Sequence, residues 1–197
     1  MEYHFPELSI RYPAWTGPLV DNWDHAGFAT AEGRMRFAIA LAHRNVEAGT
    51  GGPFGAAIFD CATDLLIAPG MNMVISSQCS VLHSEIVAIM MAQKIVGAFD
   101  LSGSGLRHVE LVTSVAPCAM CLGAIPWAGI SRLVCGARDE DARAVGFDEG
   151  AKVADWTGEL KKRGIETIVD IGRDDAVEVL RNYKAMNGVI YNSNSTK

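Results

Sequence analysis

The sequence has no dense run of lysine and arginine, no low-complexity segment and no internal repeat. Its 17 Lys and Arg stand against 23 Asp and Glu, a formal charge of −6. A chain of that balance repels phosphate backbones unless its cations cluster, so no nucleic-acid partner is expected. Met1 to Ile10 lacks the cationic start and apolar stretch of a signal peptide. No apolar run is read as long enough to span a bilayer, so no membrane partner is expected either. The five cysteines are an odd number and suggest no disulfide framework. The expected compartment is the reducing cytosol. Pro6, Pro13 and Pro18 crowd the first 28 residues and exclude long helices there.

What remains is a chain of 197 residues, 49% hydrophobic, with a mean hydropathy of +0.15. That is enough for one domain, residues 1–197, with a proper core. Residues 1–28 hold Tyr3, Phe5, Tyr12, Trp15, Trp23 and Phe28 and read as an arm packed on the body or on a second subunit. From Thr30, a plausible N-cap, apolar residues at Met35, Ala38, Ile39, Ala42 and Val46 predict a helix that stops at Gly49. Phe54 to Phe59 and Leu65 to Asn72 predict a strand hairpin around a turn at Asp60 to Asp64. Ser76 to Ser80 reads as a polar loop. Val81 to Val96 is apolar nearly all round, as a buried helix is. His108 to Ser114, Arg132 to Ala137 and Ile165 to Ile171 read as strands. Cys118 to Ala128 and Asp174 to Met186 read as helices. The pattern predicts an α/β layered domain with a mixed, five-stranded sheet.

The chemistry concentrates at Pro117-Cys118-Ala119-Met120-Cys121. Cysteines at i and i+3 share a helix face, so both sulfurs can reach one ion. A helix N-terminus lowers a thiol's pKa toward the thiolate that binds metal. His83, in His83-Ser84-Glu85, is the candidate third ligand. Three protein ligands leave the fourth corner of a zinc ion for water. Glu85 lies two residues after His83 and does not share its side of a helix. Both still reach one pocket if the metal sits beyond the helix end. Glu85 is then free to carry protons. Two alternatives compete: a closed structural site with Cys79 as fourth ligand, and a redox Cys-x-x-Cys. The first leaves Glu85 without a task, and the second needs no His-x-Glu partner. Cys61, Cys135, His43 and His108 read as ordinary core or surface residues.

H-x-E followed by P-C-x-x-C is the signature of zinc deaminases. From Met35 to Glu149 the chain resembles the cytidine-deaminase superfamily. Gly51-Gly52-Pro53-Phe54-Gly55-Ala56 and Gly146-Phe147-Asp148-Glu149 resemble the bacterial guanine deaminases of that fold. The resemblance implies a three-layer α/β/α fold, a Zn²⁺ cofactor and a homodimer. It implies hydrolysis of guanine to xanthine and ammonia, with hydroxide attacking the amine-bearing carbon and Glu85 as proton shuttle. Ammeline or guanosine are alternative substrates. A tRNA adenosine deaminase or a non-catalytic zinc module fit the motifs less well. Carried over, Asn72 would bond the purine, Phe54 and Trp127 would wall the pocket, and the Ser84 backbone would line it. Asp148 and Glu149 would face the substrate, with Glu149 in a place where aspartate is common. Tyr191, in a tail of residues 188–197, would be a lid. The physical reading agrees in kind: an amide donates and accepts, a carboxylate accepts from ring N–H groups, and flat walls suit a flat substrate.

Overall fold

The computed structural model describes residues 7–192, apart from Arg107. A five-stranded sheet in the order β2-β1-β3-β4-β5 forms its centre. Its strands are β1 (Gly55–Asp60), β2 (Leu65–Met71), β3 (Val109–Val115), β4 (Arg132–Ala137) and β5 (Glu166–Ile168). β1 pairs antiparallel with both β2 and β3, whereas β3–β4 and β4–β5 are parallel. The sheet is therefore mixed, as the hairpin followed by strand–helix alternation predicts. β5 holds only three residues and is shorter than the β-rich run from Ile165 to Ile171. Beyond Ile168, the Ile171 N–H donates to the Cys135 carbonyl and Asp170 takes a left-handed φ of 66°, which turns the chain off the ladder.

Strand alternation divides the apolar side chains between two faces. Ala56, Ile58, Leu111, Leu133 and Cys135 face a layer made by α3 (Ser84–Val96), α4 (Ala119–Trp127) and α6 (Trp156–Lys161). Ala57, Phe59, Val112 and Val134 face α2 (Ala31–Glu47). On that side α7 (Arg173–Ala185) and α5 (Asp139–Val145) extend the layer around Val115 and Ala137. The result is an α/β/α sandwich. Thr30 caps α2, its hydroxyl accepting from the Gly33 N–H at 3.1 Å. The arm contributes α1 (Thr16–Asp21), a single short helix among its prolines. Trp23 packs edge-on to Phe37 at 5.2 Å, and Phe28 to Phe59 at 5.0 Å, so this aromatic segment covers the α2 face. Tyr3, Phe5 and Pro6, with the last five residues of the tail, lie outside the described residues.

Two expectations are corrected. Val81 and Leu82 are not helical; α3 begins at Ser84 because His83 is its N-cap, in extended backbone at ψ 158°. Also, the stretch from Ser84 to Gly103 is long and apolar enough to cross a membrane by length and composition alone. Its regular helix, however, is the 13 residues of α3. At 1.5 Å per residue that spans about 20 Å, short of the ~30 Å of a bilayer core. Gly97 ends it in left-handed backbone, and Val87, Ala88 and Ala92 are buried in the sandwich.

At the end of the sheet where β3 and β4 begin, Glu110 is wholly buried between two arginines. Arg34 Nε lies 2.6 Å from one carboxylate oxygen and Arg132 Nε 2.5 Å from the other. Arg34 also donates to the Phe28 carbonyl and so ties the arm to the first turn of α2. Removing one member of a buried pair strands the other charge. Glu110→Gln should cost about 3 kcal/mol of stability, read by urea unfolding, with zinc content unchanged. A loss under ~1 kcal/mol would show that the arginines find solvent instead.

Candidate metal centre and active site

Three chain segments converge at the carboxyl end of β3. In an open α/β sheet this is where a crevice forms. His83 is the N-cap of α3 and Cys118 the N-cap of α4. Cys121 lies three residues into α4, on the same face as Cys118. The ligand atoms of His83, Cys118 and Cys121 all lie within 4.8 Å of one another, the one such group of three or more among the described residues. His83 Nδ1 is 3.4 Å from Cys118 Sγ and 3.6 Å from Cys121 Sγ. A tetrahedral zinc with bonds of about 2.3 Å to sulfur and about 2.0 Å to nitrogen separates neighbouring ligand atoms by about 3.5 Å. The three atoms thus stand at the spacing zinc demands. Cys79 is not among them; it packs against the aromatic core on the α2 side. The closed four-ligand site is not built.

The electrostatics show the same want of a cation. Cys118 is drawn down to about 4 by the hydrogen bond from Cys121, against the effect of its burial and with help from His83. Cys121 is pushed up, first by that shared hydrogen bond and then by burial. Burial alone would lower the His83 pKa, but the Cys118 contact and the Glu85 and Glu149 charges raise it. The opposed shifts mark a cluster of groups crowded together at the atoms a divalent ion would bind. The partial positive charge at the N-termini of α3 and α4 adds to the preference for thiolate.

Glu85, in the first turn of α3, is buried and points at this group. Its carboxyl accepts from the Ser84 hydroxyl at 3.0 Å. Burial first, and the Cys118 sulfur second, raise its pKa. Facing it is a cavity of about 320 Å³ lined by Phe54, Asn72, Phe147, Glu149 and Tyr191 together with the ligands His83 and Cys118. Asn72 is wholly buried. Its Oδ1 accepts from the N–H groups of Gly52 at 3.4 Å and Val74 at 3.3 Å, which fixes the amide, and its Nδ2 donates to the Tyr191 hydroxyl at 2.7 Å. Tyr191 therefore lies over the cavity from the same chain, 6.3 Å from the His83 ring. Glu149 is 5% exposed and forms no ion pair among the described residues. Burial, then the Cys118 charge, push its pKa up to about 8. Its carbonyl accepts from the Ala119 N–H at 3.0 Å, docking the Gly146-to-Gly150 loop on the start of α4. Gly150 follows in left-handed backbone at φ 71°, with Ala119 Cβ 3.2 Å from where its own Cβ would lie. Both facts favour glycine there.

Not every candidate falls in the cavity. Trp127 is 85% exposed at the end of α4 and borders a separate groove with Leu122 and Pro126. It is not a wall of this cavity, because α4 runs away from the metal group for nine residues before reaching it. The second aromatic wall is Phe147. Its ring meets Phe54 edge-on at 4.8 Å and Tyr191 at 5.3 Å. Its place within Gly146-Phe147-Asp148-Glu149 was the available signal. Asp148 sits at the cavity rim with an exposed side chain that accepts from the Gly150 N–H at 2.9 Å, a turn-forming contact. Ser84 is fully buried, and its side chain serves Glu85.

Residues 29–137 match the family described as the cytidine and deoxycytidylate deaminase zinc-binding region. The guanine deaminase of Bacillus subtilis is 41% identical over 115 residues, 58% of this chain and 69% of its own length. The tRNA-specific adenosine deaminase of Haemophilus influenzae is 36% identical over 115 residues, 58% of this chain and 62% of its own. The solved guanine deaminase of Nitrosomonas europaea superposes with a TM-score of 0.85 at 41% identity, covering 93% of this chain and 100% of that one. A solved complex with 8-azaguanine superposes with a TM-score of 0.84 at 41% identity, covering 91% and 98%. The donor set, its spacing and its surplus of negative charge fit zinc. The purified protein should carry about one zinc per chain. His83→Ala or Cys118→Ala should lose it, and chelation should lower the melting temperature of the unaltered protein. Full zinc retention by either variant, read by elemental analysis, would refute the assignment.

Proposed function

Because the chain belongs to the cytidine and deoxycytidylate deaminase zinc-binding family, we propose that it is a zinc-dependent guanine deaminase, hydrolysing guanine to xanthine and ammonia. The observation that carries the reading is Glu85 beside a three-ligand metal group, under a cavity whose free polar groups suit a purine edge. His83, Cys118 and Cys121 would hold zinc, which would supply the nucleophile by lowering the pKa of a bound water to about 7. Glu85 would carry the proton released from the attacking water to the ring nitrogen beside the amine-bearing carbon, and would then carry the remaining hydroxyl proton to the amine, which leaves as ammonia as the new carbonyl forms. Its burial and the neighbouring sulfur favour the protonated form more than in an ordinary carboxyl. A shuttle needs that balance near neutral pH.

The rest of the cavity reads as recognition. Asn72 holds its amide edge toward the ring, and Glu149 accepts from ring N–H donors. Phe54, Phe147 and Tyr191 give the cavity aromatic walls for a flat base. The tRNA deaminase reading is disfavoured because Tyr191 and Asn192 fold across the cavity, where a nucleic-acid loop would need open access. The formal charge of −6 also repels a polyanion. The same cover leaves guanine, or a triazine of similar edge, better served than guanosine with its ribose. The exposed Trp127 beside an apolar groove supports a homodimer joined through α4. The five unpaired thiols support a cytosolic enzyme.

Xanthine should form from guanine, and ammonia from guanine ahead of guanosine, cytosine and adenine. Glu85→Gln should keep its zinc and lose roughly three orders of magnitude in kcat, the scale of a proton shuttle. Glu149→Ala should harm guanine turnover more than folding. A Glu85→Gln enzyme of normal rate would move the shuttle elsewhere.

A further inference from the structure

We propose that Asn45 is a positioning residue for the substrate-binding Asn72, and that the N-terminal arm, through Trp15 and Thr50, holds Asn45 in place. The proposal rests on the guanine deaminase reading for its functional consequence, but its geometry stands apart from that reading. Asn45, on α2, is completely buried 27 positions before Asn72. Its Nδ2 donates to the Asn72 carbonyl at 2.8 Å and to the Gly52 carbonyl at 2.9 Å. Its Oδ1 accepts from the Thr50 hydroxyl at 2.7 Å, with the Asn45 carbonyl a longer alternative for that hydroxyl at 3.3 Å. The Thr50 oxygen in turn accepts from the Trp15 indole N–H at 3.0 Å.

The result is a directed chain of donors and acceptors. It starts on the arm, passes through Thr50 and Asn45, and ends on the backbone at both sides of the Asn72 side chain. Gly52 closes the circuit, because its N–H donates to Asn72 Oδ1 while its carbonyl accepts from Asn45. Asn72 therefore has its carbonyl and its side-chain oxygen anchored by one assembly. Only the Nδ2 end is left to the cavity and to Tyr191. A second contact from the arm points to the same strand: the Tyr12 hydroxyl donates to the Pro69 carbonyl of β2 at 2.6 Å.

The glycines of the Gly51-Gly52-Pro53-Phe54 stretch make the arrangement possible. A Cβ on Gly51 would fall 1.8 Å from the Asn72 carbonyl oxygen and 2.7 Å from Asn45 Nδ2. One on Gly52 would press on Tyr191 and on Asn72 Oδ1 at 3.1 to 3.2 Å. The bare backbone lets α2 reach the end of β2 and lets the lid reach the amide. A buried network in which every member is satisfied fixes one geometry, and weakening one link loosens the rest. On the guanine deaminase reading Asn72 binds the ring and carries no proton, so its loosening is expected to weaken ground-state and transition-state binding alike.

The test compares Thr50→Val, Trp15→Phe, their combination and Thr50→Ser in the full chain. The first two remove one link each; Thr50→Val keeps the side-chain shape, and Trp15→Phe keeps an aromatic ring of smaller size. KM for guanine should rise about threefold to tenfold, the scale of one hydrogen bond, with kcat within about twofold. Zinc content should stay at the parent value, while the melting temperature of Thr50→Val should fall by a few degrees because the buried Asn45 Oδ1 loses its donor. The double variant should be no worse than Thr50→Val, since the links act in series. Thr50→Ser keeps the hydroxyl and should restore the parent KM. Amide hydrogen exchange gives a readout free of substrate: the Gly52 and Val74 N–H groups, both bound to Asn72 Oδ1, should exchange faster in Thr50→Val and recover in Thr50→Ser. An unchanged KM in Thr50→Val, or a Thr50→Ser enzyme as impaired as Thr50→Val, would overturn the proposal. If the parent enzyme leaves guanine untouched, the function reading fails, and unchanged exchange at Gly52 and Val74 then overturns the positioning role by itself.

Discussion

Two helices begin at one point, and each offers its capping residue to the same ion. His83 and Cys118 hold extended backbone at the starts of α3 and α4, so their side chains project past the helix ends. Cys121 reaches back one turn. The sheet exists, functionally, to set that convergence. β3 delivers Cys118 directly, through Ala116 and Pro117. The antiparallel β1 brings Phe54 to the same end of β3, and β2 returns with Asn72 beside it. A parallel hairpin is impossible over so short a turn, so the opening antiparallel pair is what places Asn72 across from the ligands. The aromatic packing of the arm and the ion pairs at Glu110 lie toward the opposite side or end of the sandwich. They hold the layers and leave the crevice free.

The metal group and the elements that carry it were legible in the sequence because their signals are local. A cysteine pair at i and i+3 after a proline, and a histidine two before a glutamate, each constrain one helix start. Strands β1, β3 and β4 declared themselves by β-branched and apolar runs, and Thr30 by its capping chemistry. What was not legible depends on contacts distant in sequence. Asn45 reads as one polar residue on an amphipathic helix, and only the fold sets it against Asn72. Trp127 carries the chemistry of a pocket wall, but the helical turn count after Cys121 puts it outside. Phe147 was in view within its motif without a role, because nothing in four residues says which side chain of the loop turns inward. The short helices α5 and α6 have too few residues for periodicity to show.

Tyr191 illustrates how much of the site is made by closure. Its ring contacts Phe147, and its hydroxyl takes the Asn72 amide, yet it lies 119 positions after Asn72. Asn192 beside it accepts from the Asp148 N–H and donates to the Gly146 carbonyl. The tail thus grips both the Asn72 amide and the loop that carries Glu149. Any opening of the tail would loosen both at once. In the proposed function, substrate access and substrate recognition would then be one conformational equilibrium, as in lids that complete a site on closing.

The polar composition of the cavity explains why the purine edge, more than the metal chemistry, decides the substrate. The zinc ligands and Glu85 would serve any amino-heterocycle that reached them. Glu149 is buried and without an ion pair among the described residues. In the proposed function a ring that presents N–H groups stabilises its carboxylate form, against the burial that raises its pKa to about 8. Leaving a buried polar group unpaired costs about 1–3 kcal/mol, more when it is charged. Sites built around such hydrogen bonds reject the wrong edge far better than apolar walls reject an extra methyl group. In the proposed function Phe54 and Phe147 would therefore supply area with little selectivity, while Glu149 and the anchored Asn72 would supply discrimination. Their rigidity sets how much of it survives, because an acceptor free to turn away from a mismatched ring would pay little for the mismatch. That gives physical sense to Asn45 behind Asn72, and to an arm that is remote from the metal group yet linked to Asn72 through Thr50 and Asn45.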